Sequence, residues 1–341
     1  MLEPLGGIEA FARKGETILI KPNMLAAREP DKAVTTHPEV LRAVIRMVKG
    51  TGATPIVGDS PAGLSSERVL RNLAARTGIG KVCEEEGVEF AFFTESKRVE
   101  NPEGVVAKYF EVTTVLDRVD GVISLAKFKT HTFTVMTGAV KNLFGLMVGL
   151  KKAEFHLRLK DRESFSEMLV DLSLCMRPRV TIMDAVVGME GEGPGGGNPR
   201  RLGLVIASDD IYALDLYMAH MAGVSPETVP SVAISQRRGL APRSASEVSV
   251  VGDGASTPPF KGFRMPSTAR PYGGIPHFLG SAVAEAATRK PVFLASKCIR
   301  CNACVEICPA EALTMGPRRP DIDRTLCIRC YCCQESCPKK A

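Results

Sequence analysis

The sequence predicts an α/β fold: a mainly parallel sheet with helices on its faces, followed by a small cysteine-rich α+β unit. Three observations carry that reading. Short β-branched runs alternate with helical patterns from residue 1 to about 254. Polar residues gather where the runs end. Nine of the eleven cysteines fall in the last 44 residues.

Taken in chain order, TILIKPN (17–23) reads as the first strand, with an unbroken apolar centre. PEVLRAVIRMVKGTGA (38–53) reads as a helix. Pro38 stands at its start, where a missing N–H costs nothing. Val40, Leu41, Val44, Ile45 and Val48 share one face, and Gly50 and Gly52 mark its stop. TPIVGDSP (54–61), VDGVISLAKFK (119–129), RVTIMDAVVG (179–188) and RLGLVIAS (201–208) are further strands, and SEVSVVGD (246–253) is a final short one. Helices are expected at 66–76, 164–176 and 209–222. Residues 255–290, rich in Pro and Gly without period, read as a linker, and residues 291–341 as a separate compact unit.

The chain has 341 residues, 45% hydrophobic and 24% charged, an ordinary globular composition. No apolar run approaches the ~20 residues that span a bilayer. The opening MLEPLGGIEAFARKGE lacks a basic start followed by an apolar core, so a cytoplasmic location is expected. Cysteines crowded into one end are a metal pattern, not a disulfide scaffold.

In that tail, CIRCNACVEICP (298–309) and CIRCYCCQESCP (327–338) both follow C-x2-C-x2-C-x3-C-P, and the second repeats the first 29 residues later. This is the spacing of a bacterial ferredoxin that holds two [4Fe–4S] clusters, in which the fourth cysteine of each run serves the other cluster. Cluster one then takes Cys298, Cys301, Cys304 and Cys337, and cluster two takes Cys327, Cys330, Cys333 and Cys308. Zinc, the alternative, is held by four ligands in two pairs rather than by repeated sets of three plus one. Cys332 is off the pattern and reads as a spectator; Cys83 and Cys175 read as buried thiols. Clusters of this kind need a reducing compartment and point to anaerobic metabolism. The formal charge of +6 falls to about +2 once thiolates and cluster cores are included. With no RNA-binding aromatic motif, no nucleic-acid partner is expected.

In open α/β sheets ligands bind beyond the carboxyl ends of the strands. The strand ends here carry Lys21 and Asn23, Asp59 and Ser60, Lys127 with Lys129 and His131, and Asp184. Lys141 and Asn142 follow shortly after, and residues 121–153 contain no Asp or Glu. Such a stretch suits an anionic group, with lysines as point charges and Asn142 fixing orientation; the plainer alternative is solvated surface lysines. His131 and His156 are candidate acid/base groups or metal ligands, against a structural role. Asp184, Glu190 and Glu192, joined by Asp59, are candidates for a divalent metal. GEGPGGGNP (191–199) lacks the Lys-Ser/Thr of a phosphate loop and reads as a lid or tight turn. Asp209, Asp210 and Asp215 read as helix-start carboxylates.

KPN (21–23), THP (36–38), GDSPAG (58–63), KFKTH (127–131), TGAVKNLFG (137–145), GLKKAEFH (149–156) and MDAVVGMEGEGP (183–194) together resemble the domain of unknown function 362 family, over roughly residues 15–255. Members are described as uncharacterised iron–sulfur-centre proteins, many with a two-cluster ferredoxin tail. The resemblance implies a leading strand that this N-terminus lacks or shortens. The functional expectation is a redox enzyme or its electron-input subunit, with two clusters passing electrons to or from an anionic small molecule or a redox partner protein at the α/β domain. The alternatives are a non-enzymatic carrier or scaffold that docks a partner, and a non-redox enzyme whose clusters sense or stabilise. No flavin or nicotinamide fingerprint is present.

Overall fold

The computed structural model describes residues 1–61, 63, 65–269 and 291–341. Strands β1 (Thr17–Pro22), β2 (Thr54–Val57), β3 (Glu89–Phe90), β6 (Gly121–His131), β7 (Val135–Thr137), β8 (Val180–Glu190) and β9 (Asn198–Ser208) form one sheet. Its order is β3-β2-β1-β6-β8-β9, with β7 hydrogen-bonded to β6. β3, β2, β1, β6 and β8 run parallel, whereas β9 and β7 are antiparallel. A separate hairpin, β4 (Ser96–Glu100) with β5 (Tyr109–Thr113), was not expected from the sequence. No strand forms at 246–253; residues 245–247 make a single 3-10 turn instead.

Both faces of the sheet are buried, and the side-chain period of two sorts residues between them. Ile18, Ile20, Ile123, Leu125, Val180 and Ile182 face one core, which is closed by α1 (Pro38–Gly50), α2 (Glu67–Thr77) and α3 (Ile79–Glu85). Leu19, Val122, Ala126, Phe128, Met183 and Ala185 face the other. That second core is covered by α4 (Ala139–Asn142), α5 (Lys151–Arg158), α6 (Arg162–Met176), α7 (Ile211–Met221) and α8 (Pro230–Arg237). On α1 the predicted stripe is buried at Leu41, Val44, Ile45 and Val48. Each such side chain contributes about 1.5–3 kcal/mol by leaving water, so a charge at Ile45 would break the layer.

Of the expected helix-start carboxylates, Asp210 caps α7, accepting from the N–H groups of Tyr212 and Ala213 at 2.9 Å. Asp215 does something else. It lies buried within α7 and accepts from the backbone N–H of Ala139 (2.6 Å) and Val140 (3.1 Å), capping the short helix α4 from another element. Burial pushes its carboxyl up to about 6, against those two donors. Gly138, just before α4, packs so closely on the Asp215 carboxylate that a Cβ there would overlap it.

In the tail, α9 (Ala303–Glu306), the hairpin β10 (Leu313–Met315) and β11 (Pro320–Ile322), and α10 (Cys332–Ser336) form the small unit. Of the expected linker, residues 255–269 are irregular apart from the short turn Ser267–Ala269, and 270–290 lie outside the described residues.

Candidate functional site

Because β1, β2, β6 and β8 are parallel, their carboxyl ends reach one edge of the sheet, and the tail packs there. Tyr331 packs on the front core, and a set of polar contacts adds to it. The Arg28 guanidinium donates to the carbonyls of Cys337 and Pro338, Thr132 Oγ1 donates to Gln334 Oε1 at 3.0 Å, and Gln334 Nε2 donates to the Glu192 carbonyl at 3.3 Å. Lys340 Nζ donates to the Gly197 carbonyl at 3.1 Å. The 191–199 segment is therefore a turn against which the tail docks.

Between sheet edge and tail lies a cavity of about 70 Å³, room for a few waters or a small ion. Lys129, His131, Lys141, Lys152 and His156 line it from the front unit, and Ile307, Cys332 and Glu335 from the tail. Asn23, Asp59, Ser60 and Asn142 complete the wall. All of the ligand-binding candidates except Lys21 and Lys127 thus meet here.

Those two exceptions have carboxylate partners of their own. Lys21, on β1, is fully buried and pairs with Asp59 at 2.8 Å. Gly145 presses against this pair so closely that any Cβ would collide with it. Lys127 pairs with Asp184 at 2.7 Å, and Asp184 also accepts from the N–H of His37 (2.9 Å) and Val186 (3.1 Å). Both lysines are internal counter-ions, not ligand contacts. The carboxylates expected to hold a divalent metal have partners within the protein too. Asp184 and Asp59 are neutralised by lysines, Glu190 by Arg200 (2.9 Å) and Arg264 (2.7 Å), and Glu192 accepts from the N–H of Ser267 (2.8 Å). Among the described residues no three His, Cys, Asp or Glu side chains converge on a single-ion site.

Lys129, Lys141 and Lys152 have no carboxylate within salt-bridge distance among the described residues. Lys129 Nζ donates to Asn23 Oδ1 (2.8 Å) and the Val34 carbonyl (2.6 Å). Lys152 Nζ donates to the carbonyls of Ser60 (2.6 Å) and Pro61 (2.7 Å). Burial pulls both amines down to about 7, with only distant carboxylates opposing it. Lys141 lies over the rings of Phe144 (5.3 Å) and Phe165 (5.8 Å), a cation–π seat, and burial lowers its pKa as well. Asn142 Nδ2 donates to Ser124 Oγ (2.9 Å), which turns its Oδ1 toward Asn23 Nδ2 at 3.2 Å.

The histidines are less free than their sequence suggested. Nδ1 of His131 accepts from the backbone N–H of Phe133 (3.0 Å) and Thr134 (3.3 Å), so the neutral ring carries its proton on Nε2. That atom lies 3.0 Å from Glu335 Oε1. Burial pulls the ring down to about 4, so His131 is a fixed donor rather than a proton relay. The hairpin that achieves this places Val135, a β-branched residue, at φ 68°, a conformation that costs about 1–3 kcal/mol. His156 stacks on Phe165 (4.2 Å between rings) beside Phe133, and its Nδ1 is buried without a hydrogen bond. Burial also holds it neutral, at about 3.

Burial raises the Glu335 carboxyl, but the His131 ring beside it and then Lys141 outweigh burial and bring the group to about 2. Neither Glu335 nor Lys152 was singled out in the sequence. Lys152 had a visible signal, as the second lysine of GLKKAEFH within the acid-free stretch; Glu335 had none.

The tail cysteines line two cavities. Cys298, Cys301, Cys304 and Cys337 line one cavity of about 20 Å³; Cys308, Cys327, Cys330 and Cys333 line another of about 20 Å³, with Cys332 beside them. The backbone repeats along with the sequence. Arg300, Asn302 and Glu311 have left-handed φ of 55°, 68° and 50°, and so do Arg329, Tyr331 and Lys340 at 59°, 62° and 52°. The Ala312 N–H donates to Cys308 Sγ (3.3 Å), and the Ala341 N–H to Cys337 Sγ (3.2 Å). Four sulfurs around each cavity, with N–H donors aimed at sulfur, fit an iron–sulfur cluster.

A family model described as "Domain of unknown function (DUF362)" matches residues 18–220, and one described as "4Fe-4S dicluster domain" matches residues 297–341. The chain is 35% identical over 246 residues to a thylakoid-associated protein of Synechocystis sp., covering 72% of this chain and 75% of that one. Among solved structures it is similar to the lactate racemase apoprotein from Thermoanaerobacterium thermosaccharolyticum, with a TM-score of 0.40, 12% identity, and coverage of 64% of this chain and 54% of that one. A protein from Thermotoga maritima is similar at TM-score 0.36 and 12% identity, covering 62% of this chain and 54% of that one. The chain thus spans about half the length of these two solved chains. With the front unit matched over most of its strands and the cysteine repeat matched in full, the chain belongs to the DUF362 domain family and carries a 4Fe–4S dicluster ferredoxin-type domain at its C-terminal end.

Proposed function

We propose that this protein passes electrons between two [4Fe–4S] clusters in its tail and a small anionic ligand held at the front unit's sheet edge. Cys298, Cys301, Cys304 and Cys337 would hold one cluster and Cys308, Cys327, Cys330 and Cys333 the other; bound clusters supply one-electron transfer. The observation that carries the reading is the shared cavity: Lys129, Lys141 and Lys152 face it from the front unit, while Cys332 and Glu335 close it from the helix bearing Cys333. Lys141 supplies the positive charge least occupied by protein partners. His131 Nε2–H is an oriented donor, and Asn142 is held by Ser124. Phe144 and Phe165 exclude water and strengthen each charge contact. Among the described residues no helix is long and apolar enough to cross a membrane, and a reducing, cytoplasmic compartment suits the clusters.

The test is native mass spectrometry of protein purified without oxygen, followed by thermal-shift titration with acetate and inorganic phosphate. Stabilisation by one of these, lost in Lys141→Met at unchanged iron content, is the expected result. Equal shifts in the native protein and the variant would remove the anion from the reading and leave an electron carrier that docks a partner protein.

A further inference from the structure

The two cysteine sets do not face the same surroundings. The set that includes Cys330 borders the buried cavity through Cys332, whereas Cys301 of the other set is exposed. Cys301 opens on a groove of about 380 Å³ at the seam of the two units, walled by Leu25, Leu73, Leu150 and Ile307 with Arg28 beside them. Ile299, next in the ligand loop, is 55% exposed.

Charge is distributed with the same asymmetry. Residues 291–304 and 336–341, which carry the exposed set, contain Lys297, Arg300, Lys339 and Lys340 and no acid. All four are exposed. Arg28 and Lys32 of the front unit join them: burial and then the neighbouring Arg28, Lys32 and Lys297 depress the Lys340 amine. The nearby acids include Glu29, paired with Arg76 at 2.9 Å, Asp31, paired with Lys32 at 2.6 Å, and Glu306, which lines the groove. Residues 305–333, around the other set, hold four acids and four bases. An apolar centre inside a mainly basic rim is the anatomy of a steered protein interface.

We propose that the face around Cys301 and Ile299, rimmed by Lys297, Arg300, Lys339 and Lys340, is the docking surface for a small acidic one-electron carrier protein. The carrier gives up one electron and the cluster held by Cys298, Cys301, Cys304 and Cys337 takes one; no bond forms and no further reactant is needed. The inference rests on the two-cluster tail but not on the anion of the basic cavity, so the two readings fail separately.

The experiment uses full-length holoprotein without oxygen and a reduced flavodoxin as the acidic carrier. Binding and the second-order rate of cluster reduction are measured as salt rises from about 20 to about 300 mM, across which exposed charges become screened. The expected result is at least about a tenfold fall in rate, with affinity falling in parallel. Reversing all four rim charges (K297E, R300E, K339E, K340E) should reproduce that loss at low salt. Should the fourfold variant lose iron, K339E/K340E with iron intact decides, at about threefold. R324E, in the segment that leads to Cys327 of the other set, should stay within about twofold. A salt-insensitive rate, an iron-replete rim variant that reacts normally, or a larger loss in R324E would overturn the proposal. So would equally tight binding of a DNA duplex, since that would mark a general polyanion surface.

Discussion

His131 Nε2 stands 3.0 Å from Glu335 Oε1, and this one contact joins the end of β6 to the helix that carries Cys333. Removing the charge while keeping the shape, in Glu335→Gln, leaves Lys141 without its nearest anion. We expect backbone hydrogen exchange at Phe133 and Thr134 to quicken by about tenfold, matching a loss of about 1.4 kcal/mol in local stability. Unchanged exchange would assign the docking to the contacts of Arg28, Thr132, Gln334 and Lys340.

Proton linkage gives the site a pH signature. Lys129 and Lys152 are depressed from 10.5 to about 7. Below pH 7 both folded and unfolded chains carry these protons, so the burial penalty is present in full. Between about 7 and 10.5 the unfolded chain binds more protons, and stability rises with pH by up to about 1.4 kcal/mol per unit for each lysine. Anion affinity moves the other way, falling above pH 7 as the two ammoniums discharge. Melting curves from pH 6.5 to 9, with and without acetate, check both signs; Lys129→Met should flatten each trend.

The Lys21–Asp59 pair is a stability element rather than a ligand contact. Asp59→Ala leaves Lys21 buried and uncompensated, a loss of about 3–5 kcal/mol in denaturant unfolding. Combining it with Lys21→Met should recover at least half of that loss. If the double variant is no more stable than Asp59→Ala, the damage comes from the hydrogen bond that Met24 N–H donates to Asp59 (2.6 Å).

Iron content separates ligands from bystanders in the tail. Cys304→Ala should bring iron from about eight to about four per chain, with the far-ultraviolet spectrum and the melting of the front unit unchanged. Cys332→Ala should keep about eight. Iron near eight in Cys304→Ala would refute the division of ligands between the two cavities.

The cluster motif was legible in the sequence because its chemistry is local. Three thiolates within seven residues need no distant chain to meet, and the 29-residue repeat carries over to matching left-handed residues. The α/β sheet was legible where period and polarity agreed, as in α1, β6 and β8. It was illegible at SEVSVVGD, where β-branched composition met no partner strand, and at the antiparallel β9, whose direction only its pairing sets.

The candidate site divides the same way. Sequence by itself determined that lysines, histidines and small residues cluster after the strands, with no acid between residues 121 and 153. Tertiary structure alone decided which of those lysines are free: Lys21 and Lys127 are neutralised by Asp59 and Asp184, 38 and 57 residues away, while Lys129, Lys141 and Lys152 are left to face the cavity. It also brought Glu335 to His131 across 204 residues. A charge's role depends on what lies within a few ångströms of it, and spacing along the chain does not encode that distance once the chain has folded back on itself.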